Sequence, residues 1–323
     1  MAAIILLSFV HGLTFGYDFI LNAVIYFFRF TFAFCFAVWL VKRVGNQATE
    51  SFVIILFILL AITALFVYTL IYLASFRMYA SGMTTASFSQ VATMVCLISF
   101  WRKYHFIFVV SLLFLFLTFS KTSILLLLGL LFFQMRANIF KFAKLIFLAL
   151  SGFCLLFYLL KNLFGQRFFL FLSVYTSFKQ LLTLSGRTEI WNYAGSLLTS
   201  GQIPLLGLGF NAASSLIFSN NFYLLWNDFD YLVQTTYYPP IFHSIWIKYG
   251  FGLGILSIVI FGIILKRIWQ SFQYQCQPGF FIFSLFLLCQ SIDFTLYRPK
   301  EVIIWSFILG LAEGQWRVES ETH

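Results

Sequence analysis

The chain has 323 residues, of which 62% are hydrophobic and only 9% are charged, and its mean hydropathy is +0.95. A soluble globular domain carries about 25% charged residues, so this composition excludes a soluble enzyme. The net charge of +10 is spread over loops without a basic stripe or a nucleic-acid-binding motif, so no nucleic acid partner is expected. Because a backbone in lipid must satisfy its own hydrogen bonds, we predict an all-α, polytopic membrane protein.

Apolar runs, taken in chain order, predict about ten membrane-spanning helices. The predicted spans are residues 2–16, 19–41, 52–74, 87–100, 106–119, 122–135, 144–160, 241–265, 279–293 and 301–313. The fifth and sixth form a tight helical hairpin split by Ser120, Lys121 and Thr122, because a single helix would hold a lysine at its centre. The first run has no Lys or Arg before it, which favours an anchor over a signal peptide.

The short loops predict the orientation, because Lys and Arg concentrate in cytoplasmic loops. Threading the spans in order brings four basic pairs to one side: Lys42 and Arg43, Arg102 and Lys103, Arg136 and Lys141, Lys266 and Arg267. That side is taken as the cytoplasm, and both termini are expected there. The chain then divides into an N-terminal transmembrane bundle (1–160), an extracytoplasmic loop with an amphipathic helix (161–240), and C-terminal transmembrane helices with a cytoplasmic tail (241–323).

A further set of basic residues falls on the outer side, against the usual bias: Arg77, Lys121, Lys161, Arg167, Lys179, Arg187, Arg298 and Lys300. Two interpretations fit this set. In the first, long loops escape the charge rule and basic side chains reach lipid headgroups. In the second, the outer face binds an anionic ligand.

The outer segment Ser185–Phe210 reads SGRTEIWNYAGSLLTSGQIPLLGLGF. Its first residues cap a helix whose apolar side chains recur at helical spacing, and Gly201 and Pro204 end that helix. The helix is predicted to lie at the membrane surface, where its free N–H groups and Arg187 suit a phosphate. The alternative is an ordinary interfacial helix in which Arg187 pairs with Glu189 or with a lipid headgroup.

Two further features follow this helix. The glycine turn Gly207-Leu-Gly209 either lines an anion site with its backbone amides or simply returns the chain to the membrane surface. His243 opens the next span, with Lys248 just over one turn later; such a titratable pair is a functional hypothesis, and a satisfied structural histidine is the alternative. We predict no metal and no cofactor, because the histidines are scattered without ligand spacing.

Together these motifs resemble the O-antigen ligase and polymerase superfamily, which includes Wzy-type polymerases, WaaL-type ligases and ExoQ-like exopolysaccharide polymerases. SGRTEIW followed by PLLGLGF resembles the signature of that family's central outer loop. The segment Leu117–Thr122 lies where the family usually has Ser-Arg at an outer helix turn. His243 and Ser244, with Gly254 after nine more residues, resemble the motif that opens the span after the loop.

The resemblance implies a GT-C-like, metal-independent glycosyltransferase of the bacterial inner membrane. The implied donor is a glycan on undecaprenyl diphosphate, and the acceptor is a glycan or a lipid-linked glycan. Membrane lipids and a polysaccharide export complex are further expected partners. Arg187 and Lys121 would bind the diphosphate, and His243 and Arg187 would be catalytic. The remaining candidate substrate contacts are Arg77, Glu189, Gly207, Gly209 and Lys248.

One departure and two alternatives accompany this interpretation. Lys121 stands where the family has arginine, so a point charge replaces a bidentate fork. The residues of the SGRTEIW and PLLGLGF motifs look closer to exopolysaccharide polymerases, which favours a polymerase slightly over a ligase. The alternatives are a transporter or permease and a catalytically inactive structural relative. A transporter is expected to hold charged or broken helices near the bilayer midplane, whereas these ionisable residues cluster at the predicted outer face.

Overall fold

A computed structural model of the chain describes residues 17–45, 47–70, 85–118, 120–135, 254–273, 277–292 and 299–322, together with single positions between 140 and 246. Within these ranges the chain is all-helical, with eight continuous helices and no strand. The helices are α1 (Tyr17–Val44), α2 (Gln47–Leu70), α3 (Thr85–Arg102), α4 (His105–Leu117), α5 (Lys121–Met135), α6 (Leu256–Gln273), α7 (Gln277–Ile292) and α8 (Pro299–Thr322).

The predicted all-α class is confirmed for this part of the chain, and every described helix except α6 follows a predicted span with shifted ends. The break in the predicted hairpin is also confirmed. Thr118 and Ser120 lie outside α4 and α5, whereas Lys121 is the first residue of α5 and not a loop residue. Span 2–16 lies outside the described residues, and span 144–160 is described only at scattered positions, each of them helical.

The predicted span 241–265 is wrong as a single helix. A turn at Gly254 and Ile255 interrupts it, and α6 begins after that turn and continues to Gln273. Ser257 closes the break by donating its backbone N–H (3.0 Å) and its hydroxyl (2.7 Å) to the carbonyl of Gly254. Apolar residues continue through the turn, which is why hydropathy alone joined the two pieces.

Two of the described helical segments are long and apolar enough to cross a membrane: Val24–Val44 and Leu256–Gln273. Only 22% and 17% of these segments is buried inside the structure, so both present large apolar side chains to their surroundings. Shorter apolar helices are Glu50–Leu65, His105–Leu117, Lys121–Met135 and Pro278–Ser291. A bilayer core takes about 20 apolar residues, so these helices would cross it only where it is locally thinner. The ten-span topology therefore stays a prediction.

Helix α3 lies at the centre of the described bundle, with every side chain from Ser87 to Ser99 buried. It packs against α2, α4, α5 and α7. The Phe88 ring faces Phe57 of α2 at 6.4 Å between centroids and Phe114 of α4 at 6.0 Å. Aromatic packing therefore joins three helices near the start of α3.

Helices α1 and α8 approach each other at two glycines spaced G-x-x-x-G, a pattern that allows close contact between membrane helices. A Cβ on Gly310 would lie 2.4 Å from the carbonyl oxygen of Phe34, and one on Gly314 would lie 2.9 Å from the Cβ of Val41. Because Gly310 faces Phe34 and Gly314 faces the later residue Val41, the two helices run parallel.

Ion pairs gather at one end of the bundle. Glu50 at the start of α2 accepts two hydrogen bonds from the Arg102 guanidinium at the end of α3, one of them from Nε at 2.6 Å. Glu313 of α8 accepts from Arg267 of α6 at 2.8 Å and from Arg317 at 2.9 Å. Both carboxylates are buried, so these pairs hold four helices together at this end.

We expect Gly310→Ala to lower the free energy of unfolding by about 1–3 kcal/mol, because the added Cβ would overlap a backbone oxygen that cannot rotate away. The apparent melting temperature of the purified protein in detergent measures this loss. Gly262→Ala is the matched control, since a Cβ there meets nothing within 4 Å and alanine favours the helix. Equal melting temperatures for the two variants would contradict the close approach of α8 to α1.

Candidate functional site

Of the predicted site residues, the structure describes Lys121 and Gly207. The others lie outside the described residues: Arg77, Arg187, Glu189, Gly209, His243 and Lys248. The described part therefore covers three regions near the predicted site residues in the sequence: the start of α5, the end of the loop helix and Trp246.

Lys121 opens α5 and is half-buried. The residue before it, Ser120, is the N-cap, and its Oγ accepts the backbone N–H of Ser123 at 3.4 Å. The backbone N–H of Ser120 in turn donates to the hydroxyl of Thr118 at 3.3 Å, which ties the cap to the end of α4. The turn is therefore held on both sides, and the helix dipole adds to the positive charge of Lys121.

Three buried serines connect this turn to the central helix. Oγ of Ser120 lies 3.0 Å from Oγ of Ser123, which lies 2.7 Å from Oγ of Ser89, and Ser89 donates to the Ala86 carbonyl at 2.7 Å. Each hydroxyl has one proton to donate. Because Ser89 donates to Ala86, Ser123 donates to Ser89 and Ser120 donates to Ser123. The chain of bonds thus runs from the Lys121 turn into α3.

This direction decides which groups are left to bind an anion at the turn. The proton of Ser120 is engaged towards Ser123, so its oxygen can only accept further hydrogen bonds. An anion at the turn would therefore meet the ammonium group of Lys121 and the first backbone N–H groups of α5, not the Ser120 hydroxyl.

Neighbouring side chains of α3 reach two other helices. Ser87 donates to Oε1 of Glu301 in α8 at 2.6 Å, and Nε2 of Gln290 in α7 donates to Oε1 of Gln90 at 3.2 Å. All four side chains are buried. We call the seven residues of these three hydrogen-bonded groups the α3 polar cluster: Ser87, Ser89, Gln90, Ser120, Ser123, Gln290 and Glu301.

Trp246 connects this cluster to the segment that carries the predicted histidine. Its indole Nε1 donates to Oγ of Ser291 at 2.6 Å, and its ring packs against Phe261 of α6 with centroids 3.7 Å apart. Ser291 follows Gln290 directly in α7, so the end of α7 contacts both α3 and Trp246. In the sequence, His243 precedes Trp246 by three residues.

The end of the predicted loop helix is confirmed. The described positions in it are helical: Asn192, Gly195, Ser196 and Thr199. The backbone N–H of Ser200 donates to the carbonyl of Ser196 at 2.9 Å, and Gly201 then turns the chain with φ +71°. Gly207 is buried and has φ +80°, a backbone conformation that favours glycine, and the turn predicted for Gly207-Leu-Gly209 stays a prediction.

The sequence analysis missed the α3 polar cluster, although a signal was present. The span starts with TASFSQVAT, whose polar side chains point to several faces of a helix. A helix surrounded by lipid avoids this pattern, because unpaired polar groups are costly there. The pattern therefore indicates a helix enclosed by other helices. Among the described residues, no group of three His, Cys, Asp or Glu side chains comes together to hold a metal ion.

Comparison with protein families gives one match in this region. Residues 106–262 match the Wzy_C family, described as O-antigen ligase. The matched segment runs from α4 into α6 and includes Lys121, Arg187, Gly207 and His243. It confirms the resemblance predicted from the motifs. No curated protein matched the chain.

We expect Trp246→Phe to lower the free energy of unfolding by about 0.5–1.5 kcal/mol, because the ring is kept while the hydrogen bond to Ser291 is lost. Ser291→Ala removes the other partner, so the double variant is expected to be little worse than either single variant. Thermal unfolding of the three variants in one detergent tests this, with Trp269→Phe on the exposed face of α6 as the control. Fully additive losses would contradict the Trp246–Ser291 bond.

Proposed function

We propose that this protein, whose residues 106–262 belong to the O-antigen ligase and polymerase superfamily, transfers glycan units at the outer face of the bacterial inner membrane. The donor is a glycan on undecaprenyl diphosphate, and the acceptor is a sugar hydroxyl of a second glycan or lipid-linked glycan. Polymerisation is slightly favoured over ligation, because the residues of the SGRTEIW and PLLGLGF motifs look closer to those of exopolysaccharide polymerases.

The observation that carries this proposal is the position of Lys121. It lies in the first turn of α5, inside the family match, where its ammonium group stands beside the first backbone N–H groups of the helix. A diphosphate leaving group requires such donors, because negative charge develops on it as the glycosidic bond breaks. Arg187, in the loop-helix motif, is the second cation and supplies a bidentate guanidinium.

The proposed reaction is a direct displacement at the anomeric carbon of the donor. The bond between that carbon and the diphosphate oxygen breaks, and a bond to the acceptor oxygen forms. His243 orients the acceptor hydroxyl and takes its proton, since the pKa of a histidine lies near working pH. Undecaprenyl diphosphate leaves as an anion held by Arg187 and Lys121.

The ten-span topology, with both termini in the cytoplasm, is part of the proposal. Side-chain contacts between described helices support it, because they join ends that a strictly alternating chain brings to the same side. Glu50 and Arg102 meet at the predicted cytoplasmic end, as do Arg267 and Glu313. The α3 polar cluster and Lys121 then lie at the outer end, beside the long loop 161–240.

A transporter is the alternative function, and the helix break at Gly254 is the observation in its favour, since transporters bind substrates at discontinuous helices. In this break, however, Ser257 donates both its N–H and its hydroxyl to the exposed carbonyl of Gly254. Of the described carboxylates, Glu50 and Glu301 lie in the first turns of α2 and α8, and Glu313 is paired with Arg267 and Arg317. Glycan transfer is therefore favoured.

In a strain lacking the gene, we expect the wild-type chain to restore surface polysaccharide and Arg187→Ala or His243→Ala to fail. The readout is the length distribution of polysaccharide on a gel, together with the amount of each variant in the membrane. Lys179→Ala, a basic residue of the same loop outside the motifs, is the matched control and should restore normal chains. Single units attached without long chains would indicate a polymerase, and complete loss of attachment a ligase. Normal chains from both Arg187→Ala and His243→Ala would sink the glycosyltransferase assignment.

We expect Lys121→Arg to keep or raise activity, because the guanidinium restores the bidentate group usual in the family, whereas Lys121→Ala should lose most of it. Transfer of glycan from lipid-linked donor extracted from the deletion strain measures both variants. Lys266→Ala, exposed at the opposite end of the bundle, is the control for loss of one positive charge. An inactive Lys121→Arg protein that is still folded would refute the clamp role of Lys121.

A further inference from the structure

The serine chain at the start of α5 contains a hydrogen bond, between Ser123 and Ser89, that is not required to cap the helix. Ser120 caps α5 by itself, since its Oγ accepts the N–H of Ser123 and donates to the Ser123 hydroxyl. These contacts are local and would form in α5 alone. The 2.7 Å contact between Ser123 and Ser89 is different, because it ties the cap to another helix 34 residues earlier in the chain.

Ser89 is itself fixed in place. It belongs to the fully buried stretch of α3, and its own proton is bound to the Ala86 carbonyl within the same helix. The neighbouring residues Ser87 and Gln90 are bonded to α8 and α7. The oxygen that Ser123 meets is therefore held by a helix that cannot slide or rotate without breaking contacts on several sides.

We infer that Ser89 and Ser123 are positioning residues, which fix the height and rotation of the first turn of α5 and so aim the ammonium group of Lys121 at the diphosphate. The inference rests on the proposed function, because it assigns these serines a role only through Lys121. A lysine side chain is long and flexible, so the position of its helix turn determines where its charge can reach. Displacing a charged group by about 1 Å in an active site is enough to slow a reaction strongly.

The competing view is that the Ser89–Ser123 bond only stabilises the bundle. The two views differ in one measurable respect. A positioning residue acts through Lys121, so removing it has no further effect once Lys121 is gone. A merely stabilising residue lowers the amount of folded protein by the same factor whether or not Lys121 is present.

The experiment is a double-mutant cycle on the purified full-length protein. The variants are Ser89→Ala, Lys121→Ala and the pair combined, and the donor is lipid-linked glycan extracted from the deletion strain. Initial rates over a range of donor concentrations give kcat/KM for each variant, and melting temperature and gel filtration report folding. We expect Ser89→Ala to lower kcat/KM roughly tenfold in the wild-type background and less than about twofold in the Lys121→Ala background.

Ser111→Ala is the matched control. Ser111 is also a buried serine that bonds α3, because it accepts a hydrogen bond from Sγ of Cys96 at 3.1 Å. Cys96 lies seven residues after Ser89, about 10 Å further along the helix, so this bond is remote from the α5 cap. We expect Ser111→Ala to change kcat/KM by less than about twofold in either background.

Ser89→Cys is the second variant if Ser89→Ala does not fold. It keeps the size of the side chain and replaces the hydroxyl with a weaker hydrogen-bonding group, so a smaller loss with the same dependence on Lys121 is expected. Inorganic pyrophosphate gives an independent readout. Its inhibition of transfer should weaken in Ser89→Ala as it does in Lys121→Ala, and should be unchanged in Ser111→Ala.

The outcomes separate this inference from the proposed function. Suppose that Lys121→Ala lowers kcat/KM and that Ser89→Ala lowers it by the same factor in both backgrounds. This result overturns the positioning role and leaves the proposed function standing. Unchanged kcat/KM in Ser89→Ala overturns it in the same way. Full activity of Lys121→Ala overturns the clamp assignment together with this inference, and absence of transfer by the wild-type protein overturns the proposed function itself.

Discussion

Helix α3 is enclosed by other helices, and this enclosure is the constraint on which the rest of the described bundle depends. A polar side chain in such a place must find a partner within the protein, because no water is available to it. Ser87, Ser89 and Gln90 find theirs on α8, α5 and α7, respectively. Each bond fixes one neighbouring helix in height and rotation, so the first turns of α3 set the register of three helices at once.

The two ends of the bundle are held together by different chemistry. One end carries the α3 polar cluster, which includes one buried carboxylate, Glu301. The other end carries full ion pairs, in which buried Glu50 and Glu313 accept from arginines that remain partly exposed. Between them lie aromatic and aliphatic side chains and the close contact of α8 with α1. Partly exposed arginines keep contact with a polar medium, whereas the enclosed cluster relies on hydrogen bonds between buried side chains.

This division bears on how the proposed site works. If the Lys121 end faces the outer leaflet, the cation that meets the diphosphate stands on a rigid hydrogen-bonded frame and not on a free loop. Trp246 attaches the segment after His243 to the end of α7, which is also bonded to α3. Lys121, which approaches the donor, and His243, which approaches the acceptor, would then both be held in position through contacts to α3. Such pre-organisation lowers the reorganisation needed when charge develops on the leaving group.

The sequence alone predicted the all-α class and the family resemblance. Hydropathy predicted most of the described helices, because lipid-facing and buried helices share the same apolar composition, and the motifs around Lys121, Arg187 and His243 predicted the superfamily that the match over residues 106–262 confirms. The turn at Gly201 was also predictable, since a positive φ leaves few residue types to choose from.

Tertiary structure alone decided which helix is enclosed, where a span breaks and what holds Lys121. Hydropathy averages over a window, so it does not detect that Gly254, with φ +53°, lies in a turn inside a continuous apolar run. It also cannot show that Ser89 meets Ser123, because that contact depends on the relative rotation of two helices. The sequence therefore names the chemical groups of the site, and helix packing determines the direction in which they point.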